Sequence, residues 1–307
     1  MNKHFHISFL CALLCFAHSV SSQSFDQNKT EYEKSEQQII TIPIQIQSEI
    51  PTTKATLNGE SKTFIIDSGS PSLVLNGKYF KNEYDDISVM SNISAWGVNS
   101  SVSMNIVQIE DFDFYGIKIK ENKVTTMDIA HLEQGLDTEI YGLIGYDVYK
   151  DYDMLFDYTN NTLTLIQPNV TKNYLETNYK QSKIETLPIE MWKHIPIVKG
   201  KIGKMDFNFG IDCGAEANLL DKKFLNSVKE HVLMLENDTL FGVGEAKIVE
   251  SGTIKELTIG NKNFQNTLTV FNDMIPLKQL DGLIGYEILS KQKMLLSFQN
   301  RFLLFID

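Results

Sequence analysis

Two aspartates stand in nearly identical surroundings, 145 residues apart. Asp67-Ser68-Gly69-Ser70 follows Phe64-Ile65-Ile66, and Asp212-Cys213-Gly214-Ala215 follows Phe209-Gly210-Ile211. The glycine permits a tight turn and the small neighbours let a second segment approach closely, so each loop would lift a carboxyl off the end of a buried strand. Brought together about a two-fold axis, the two carboxyls could not both ionise cheaply and would share a proton. The ionised one could take a proton from water as general base, while the protonated one bonds a carbonyl oxygen. The two would titrate as a pair. Singly, either aspartate reads as an ordinary turn or capping residue; the pairing is what points to chemistry.

Other residues repeat with them. At an offset of 145, Thr41-Ile42-Pro43-Ile44 falls on Thr186-Leu187-Pro188-Ile189, Ile50-Pro51 on Ile195-Pro196, and Trp96-Gly97-Val98 on Phe241-Gly242-Val243. At an offset of 140, Gly142-Leu143-Ile144-Gly145-Tyr146 falls on Gly282-Leu283-Ile284-Gly285-Tyr286, and Met154-Leu155 on Met294-Leu295. Residues 39–167 and 184–307 therefore read as two copies of one unit, joined by a polar link over 168–183. Ile144-Gly145 and Ile284-Gly285 fit a strand passing behind each aspartate loop, where only glycine leaves room. Trp96-Gly97 and Phe241-Gly242, each 29 residues after its aspartate, fit a mobile hairpin tip that closes over a peptide; core aromatics are the other reading.

The elements that must position these groups are strands. Ile40, Ile42, Ile44 and Ile46 alternate with polar residues, as a half-buried strand requires. Asn58-Gly59 marks a hairpin turn between Thr53–Leu57 and Thr63–Ile66. Phe112, Phe114, Ile117 and Ile119 give a strand pair around Gly116, and Thr162–Ile166 another strand. Helical signal is confined to Asp147–Lys150, Glu287–Ser290 and Asp221–Lys229.

With these motifs in view, the chain resembles the aspartic peptidases. Its two Asp-small-Gly-small loops are similar to the family's Asp-Thr/Ser-Gly-Ser/Ala signature. Leu143-Ile144-Gly145 and Leu283-Ile284-Gly285 are similar to the strand that threads a ψ-shaped loop behind each aspartate. The likeness is to exported bacterial proteins with retropepsin-like lobes, here two in one chain, and it covers most of residues 39–307. It implies an all-β, bilobal acid-protease fold: two homologous retropepsin-like β-barrel lobes with a cleft between them. It implies peptide-bond hydrolysis by water activated between Asp67 and Asp212. Ser68, Gly69, Ser70, Cys213, Gly214 and Ala215 would support the dyad loops, and Trp96, Gly97, Phe241 and Gly242 would be flap residues. No cofactor or metal is expected, and the partner is a peptide or protein substrate. Cys213 stands where the family has a hydroxyl that braces the two loops, and a thiol is a much weaker donor. It reads as a small residue that fits, with a redox switch or lost activity as the other readings. The first tip carries Trp96 in place of the tyrosine of pepsin-like flaps. A non-catalytic relative that binds peptides is the second class of function.

Composition frames this reading. The 307 residues are 42% apolar and 22% charged, as in a folded globular protein. The net charge is −11 and Arg301 is the only arginine, which argues against gripping nucleic acid or an anionic membrane. Lys3, the apolar run Phe9–Ala17 and Val20-Ser21-Ser22 read as a signal peptide over 1–22; a buried helix or membrane anchor is the alternative, and the run is short for a span. Residues 23–38 read as a flexible leader. Export would leave a secreted or periplasmic protein, monomeric and without a stable membrane anchor. Its single cysteine, Cys213, would have no disulfide partner, and His131, His194 and His231 read as ordinary histidines.

Overall fold

A computed structural model describes residues 8–11, 15–16, 30–80, 94–96, 101–120, 122–242, 247–274 and 279–307. Strands dominate, and three sheets organise the described residues.

The first sheet contains most strands up to residue 144. Its order is Ser94–Trp96, Ser101–Gln108, Lys123–Met127, Val74–Asn76, Gly142–Ile144, Glu60–Ile66 and Ile50–Leu57, continuing to Phe112–Phe114 and Ile117–Ile119. The second runs Asp238–Gly242, Lys247–Ile259, Lys262–Asn272, Asn218–Asp221, Gly282–Ile284, Met205–Ile211 and Ile195–Ile202. The two orders match strand for strand. The first sheet uses two short hairpin pieces, broken near Ile109 and Lys120, where the second uses one continuous hairpin, Lys247–Ile259 with Lys262–Asn272. The offset changes from 145 to 140 across this hairpin region.

The third sheet joins the halves, in the order Ile184–Pro188, Phe302–Ile306, Lys293–Ser297, Asp153–Asp157, Thr162–Ile166, Ile39–Pro43. At its centre Leu155 pairs with Leu295, its own counterpart at the offset of 140, with Met154 on Leu296 and Phe156 on Met294. That antiparallel register is what a two-fold relation between the halves requires. One core runs through both, from Phe64, Ile66 and Ile144 to Ile211, Cys213 and Ile284.

The local readings account for much of this. Asn58 and Gly59, both at positive φ, turn Ile50–Leu57 into Glu60–Ile66, as a two-residue hairpin demands. The isoleucine run divides: Ile39–Pro43 pairs with Thr162–Ile166, whereas Gln45–Gln47 pairs with Ile50–Thr52. Pro43 has no N–H to continue a ladder, and Ile44 N donates to Asn161 O instead. The polar link contains an unexpected helix, Pro168–Asn178, with proline in its first turn. Val170, Tyr174 and Leu175 form its apolar stripe against Leu155, Ile166, Leu295, Leu304 and Ile306. A second unexpected helix, Ala130–Leu136, buries Leu132 and Leu136 one turn apart.

The flexible leader expected over 23–38 differs in its last part. Tyr32–Glu33 extends the first sheet beside Ile117–Ile119, and Ser35 is buried with its N–H donating to Tyr152 OH. Two pieces of the N-terminal apolar run are also strands. Ser8–Cys11 runs parallel to Asp238–Gly242, and Cys15–Phe16 antiparallel to Ser94–Trp96.

Candidate active site

Strand Glu60–Ile66 delivers Asp67, and strand Met205–Ile211 delivers Asp212. Behind the first, Gly142–Ile144 lies parallel to Phe64–Ile66 and antiparallel to Val74–Leu75. Behind the second, Gly282–Ile284 does the same with Phe209–Ile211 and Leu219–Leu220. Asp67 N donates to Ile144 O and Asp212 N to Ile284 O, both at 3.0 Å. Each backing strand ends at a glycine for a steric reason. A Cβ on Gly145 would sit 2.6 Å from Ser70 O, and one on Gly285 would sit 2.6 Å from Ala215 O. Immediately afterwards Tyr146 N donates to Ser70 O and Tyr286 N to Ala215 O, both at 2.8 Å.

Both aspartates are fully buried. Gly69 N donates to Asp67 Oδ1 at 2.7 Å and Gly214 N to Asp212 Oδ1 at 2.9 Å. The loops are so close that a Cβ on Gly214 would lie 2.6 Å from Asp67 Oδ1. Burial pushes the Asp67 carboxyl well above the usual carboxylate range, and the facing Asp212 charge adds to this; the N–H groups of Gly69 and Ser70 partly offset it. Asp67 Oδ2 is buried and accepts from no donor group among the described residues, while the Asp212 carboxyl lies close enough to share a proton with Asp67. Two carboxyls in this relation favour sharing one proton, because ionising both would set like charges side by side.

A double brace ties the loops together. Ser68 Oγ donates to Ile211 O at 3.1 Å and accepts from Cys213 N at 2.9 Å. In return Cys213 Sγ accepts from Ser68 N at 3.2 Å and donates to Ile66 O at 3.3 Å. The thiol makes the same pair of contacts as the hydroxyl opposite, at greater length. Burial raises its pKa further above the ordinary thiol value, so it stays protonated and able to donate.

The structure thus brings together Asp67, Ser68, Gly69, Ser70, Asp212, Cys213, Gly214 and Ala215, backed by Ile144-Gly145 and Ile284-Gly285. The aromatic positions lie in hairpin strands. Trp96 ends Ser94–Trp96 and pairs with Ser101, while Phe241 and Gly242 end Asp238–Gly242; Gly97 lies outside the described residues. Among the described residues, no group of three His, Cys, Asp or Glu is placed to hold a metal ion.

Two contributors are not among the residues that the sequence motifs single out. Tyr149 OH donates to Asp67 O at 2.9 Å, from the helical turn Tyr146–Tyr149 that follows Gly145. His194 Nε2 lies 2.8 Å from Gly69 O, although 125 residues away in sequence. Only the tyrosine had a signal, its spacing one helical turn past Tyr146.

Residues 192–297 match the family model of the retroviral aspartyl protease. That span contains Asp212, its loop and the Ile284-Gly285 segment. No curated protein matches the chain.

Proposed function

We propose that the chain is an exported, retropepsin-like aspartic endopeptidase with Asp67 and Asp212 as its dyad, a reading that the family match over residues 192–297 supports. The observation that carries this reading is the pair of buried carboxyls held by matching loops. A water between them gives a proton to the ionised carboxyl as its oxygen attacks the peptide carbonyl carbon. The protonated carboxyl bonds the carbonyl oxygen as negative charge develops there. Transfer of a proton to the amide nitrogen then lets the C–N bond break, releasing an acid and an amine and returning the shared proton.

The hairpin strands add support for an extended peptide as substrate. Residues 8–11 pair parallel to Asp238–Gly242 and residues 15–16 antiparallel to Ser94–Trp96, so both edges accept a strand. In this proposal residues 1–22 are removed on export, the halves 39–167 and 184–307 are lobes arisen by duplication, and the product is a secreted or periplasmic monomer.

The test is incubation of the protein lacking residues 1–22 with a mixed peptide library across pH, with Asp67→Asn as control. Cleavage by the wild type alone is expected. Binding of a statine-type transition-state mimic without cleavage would instead favour the peptide-binding relative.

A further inference from the structure

His194 sits in the turn between Glu190–Trp192 and Ile195–Ile202, in the second half of the chain, yet its ring reaches the first half's aspartate loop. The side chain is only 6% exposed. A carbonyl oxygen can only accept, so Nε2 is the protonated nitrogen in the bond to Gly69 O. The peptide unit bearing that carbonyl also bears the N–H of Ser70, which donates to Asp67 O at 3.3 Å and also faces the Asp67 carboxyl, favouring its charged form. Imidazole, peptide and carboxyl thus form one chain of hydrogen-bonding groups, in which each bond polarises the next.

The arrangement is one-sided. The position matching His194 at the offset of 145 is Glu49, an exposed carboxylate facing the charge of Glu287 and close to Tyr286. When ionised it has no proton to give to a carbonyl. The groups facing Asp67 are Asp212, Cys213 and Tyr149, and the ring beside His194 is Tyr146, 6.4 Å between centroids.

We propose that His194 is a positioning residue for the dyad: donating from the opposite half to the Gly69 carbonyl, it fixes and polarises the Gly69–Ser70 peptide that supports the Asp67 carboxylate. This rests on the dyad reading, but its readout does not depend on catalysis.

The test is a carboxyl titration by NMR, with ¹³C-labelled aspartate, on wild type, His194→Ala and His194→Gln, alongside kcat and KM for a cleaved peptide. In His194→Ala the lower apparent pKa of the dyad rises by about half a unit or more, and kcat falls about tenfold with KM within about twofold. His194→Gln, whose amide N–H can replace the donor, restores most of both. If the alanine protein does not fold, His194→Met fills the space without a donor and takes its place. An unchanged titration, or a glutamine variant no better than the variant without a donor, overturns the proposal. Equal cleavage by Asp67→Asn and wild type would instead overturn the dyad reading, while the titration still answers for His194.

Discussion

The two aspartate loops share a backbone path but are held by different chemistry. Around Asp67 the supports are polar: Tyr149 OH on its carbonyl and His194 on Gly69 O come from afar in sequence, and Ser70 Oγ donates to Ser72 O within the loop. Around Asp212 the position matching Tyr149 is Leu289, buried and apolar, and the position matching Ser70 is Ala215. Polar support there comes from within the same half, through Asn218, whose Oδ1 accepts from Gly285 N. The brace divides likewise, with a hydroxyl from the first loop and a thiol from the second. Identical backbone geometry is therefore reached with unequal side chains. What the two loops cannot vary is what the site needs directly: the carboxyl, the glycine after it, and the glycine of the backing strand.

The largest effects should fall on those shared features. Gly145→Ala and Gly285→Ala each force a Cβ against a carbonyl oxygen at 2.6 Å, with only backbone to move. Each should cost more than about 3 kcal/mol in denaturant unfolding, or prevent folding. Similar losses would uphold the equivalence of the loops, and tolerance on one side only would break it.

The brace should show the asymmetry. Ser68→Ala removes a donor to Ile211 O and leaves Cys213 N buried without its acceptor, a loss of about 2 kcal/mol. Cys213→Ala should cost less, since both sulfur bonds are weaker. Comparing unfolding midpoints of the two variants checks this, and a reversed order would show that the thiol carries the brace.

The dyad sets a pH dependence with a definite sign. Burial and the Asp212 charge hold the Asp67 carboxyl above its ordinary value, so the folded protein keeps a proton that the unfolded chain releases earlier. That contribution is complete below the ordinary carboxylate value and is lost as pH rises through the raised one. Asp67→Asn, which cannot ionise, should therefore gain a few degrees in Tm relative to wild type between mild acid and neutral pH; a constant difference in thermal melts would contradict it.

Smallest should be Tyr149→Phe, which removes one bond to Asp67 O and costs about 1 kcal/mol, with no counterpart at Leu289. Thermal melts of Tyr149→Phe and Leu289→Met would show whether the first loop depends on that hydroxyl.

How far the sequence reaches follows the same division. The aspartates, their glycines and the Ile-Gly segments were legible because each meets a steric or chemical demand with one residue type. Strands such as Thr162–Ile166 were legible from apolar alternation. Helix Pro168–Asn178 was not, because its three apolar residues sit among eight others that are polar or proline. Nor was the strand Tyr32–Glu33, whose partner edge is 85 residues away. His194 left no local trace, since its role depends on a contact between the halves.

The most direct test of the central claim, one site made from both halves, is peptide cleavage in ¹⁸O-water followed by mass spectrometry of the fragments. Wild type should place one ¹⁸O in each new carboxyl terminus, while Asp67→Asn and Asp212→Asn should each lose cleavage by at least about a hundredfold. Cleavage that persists in either variant would contradict it.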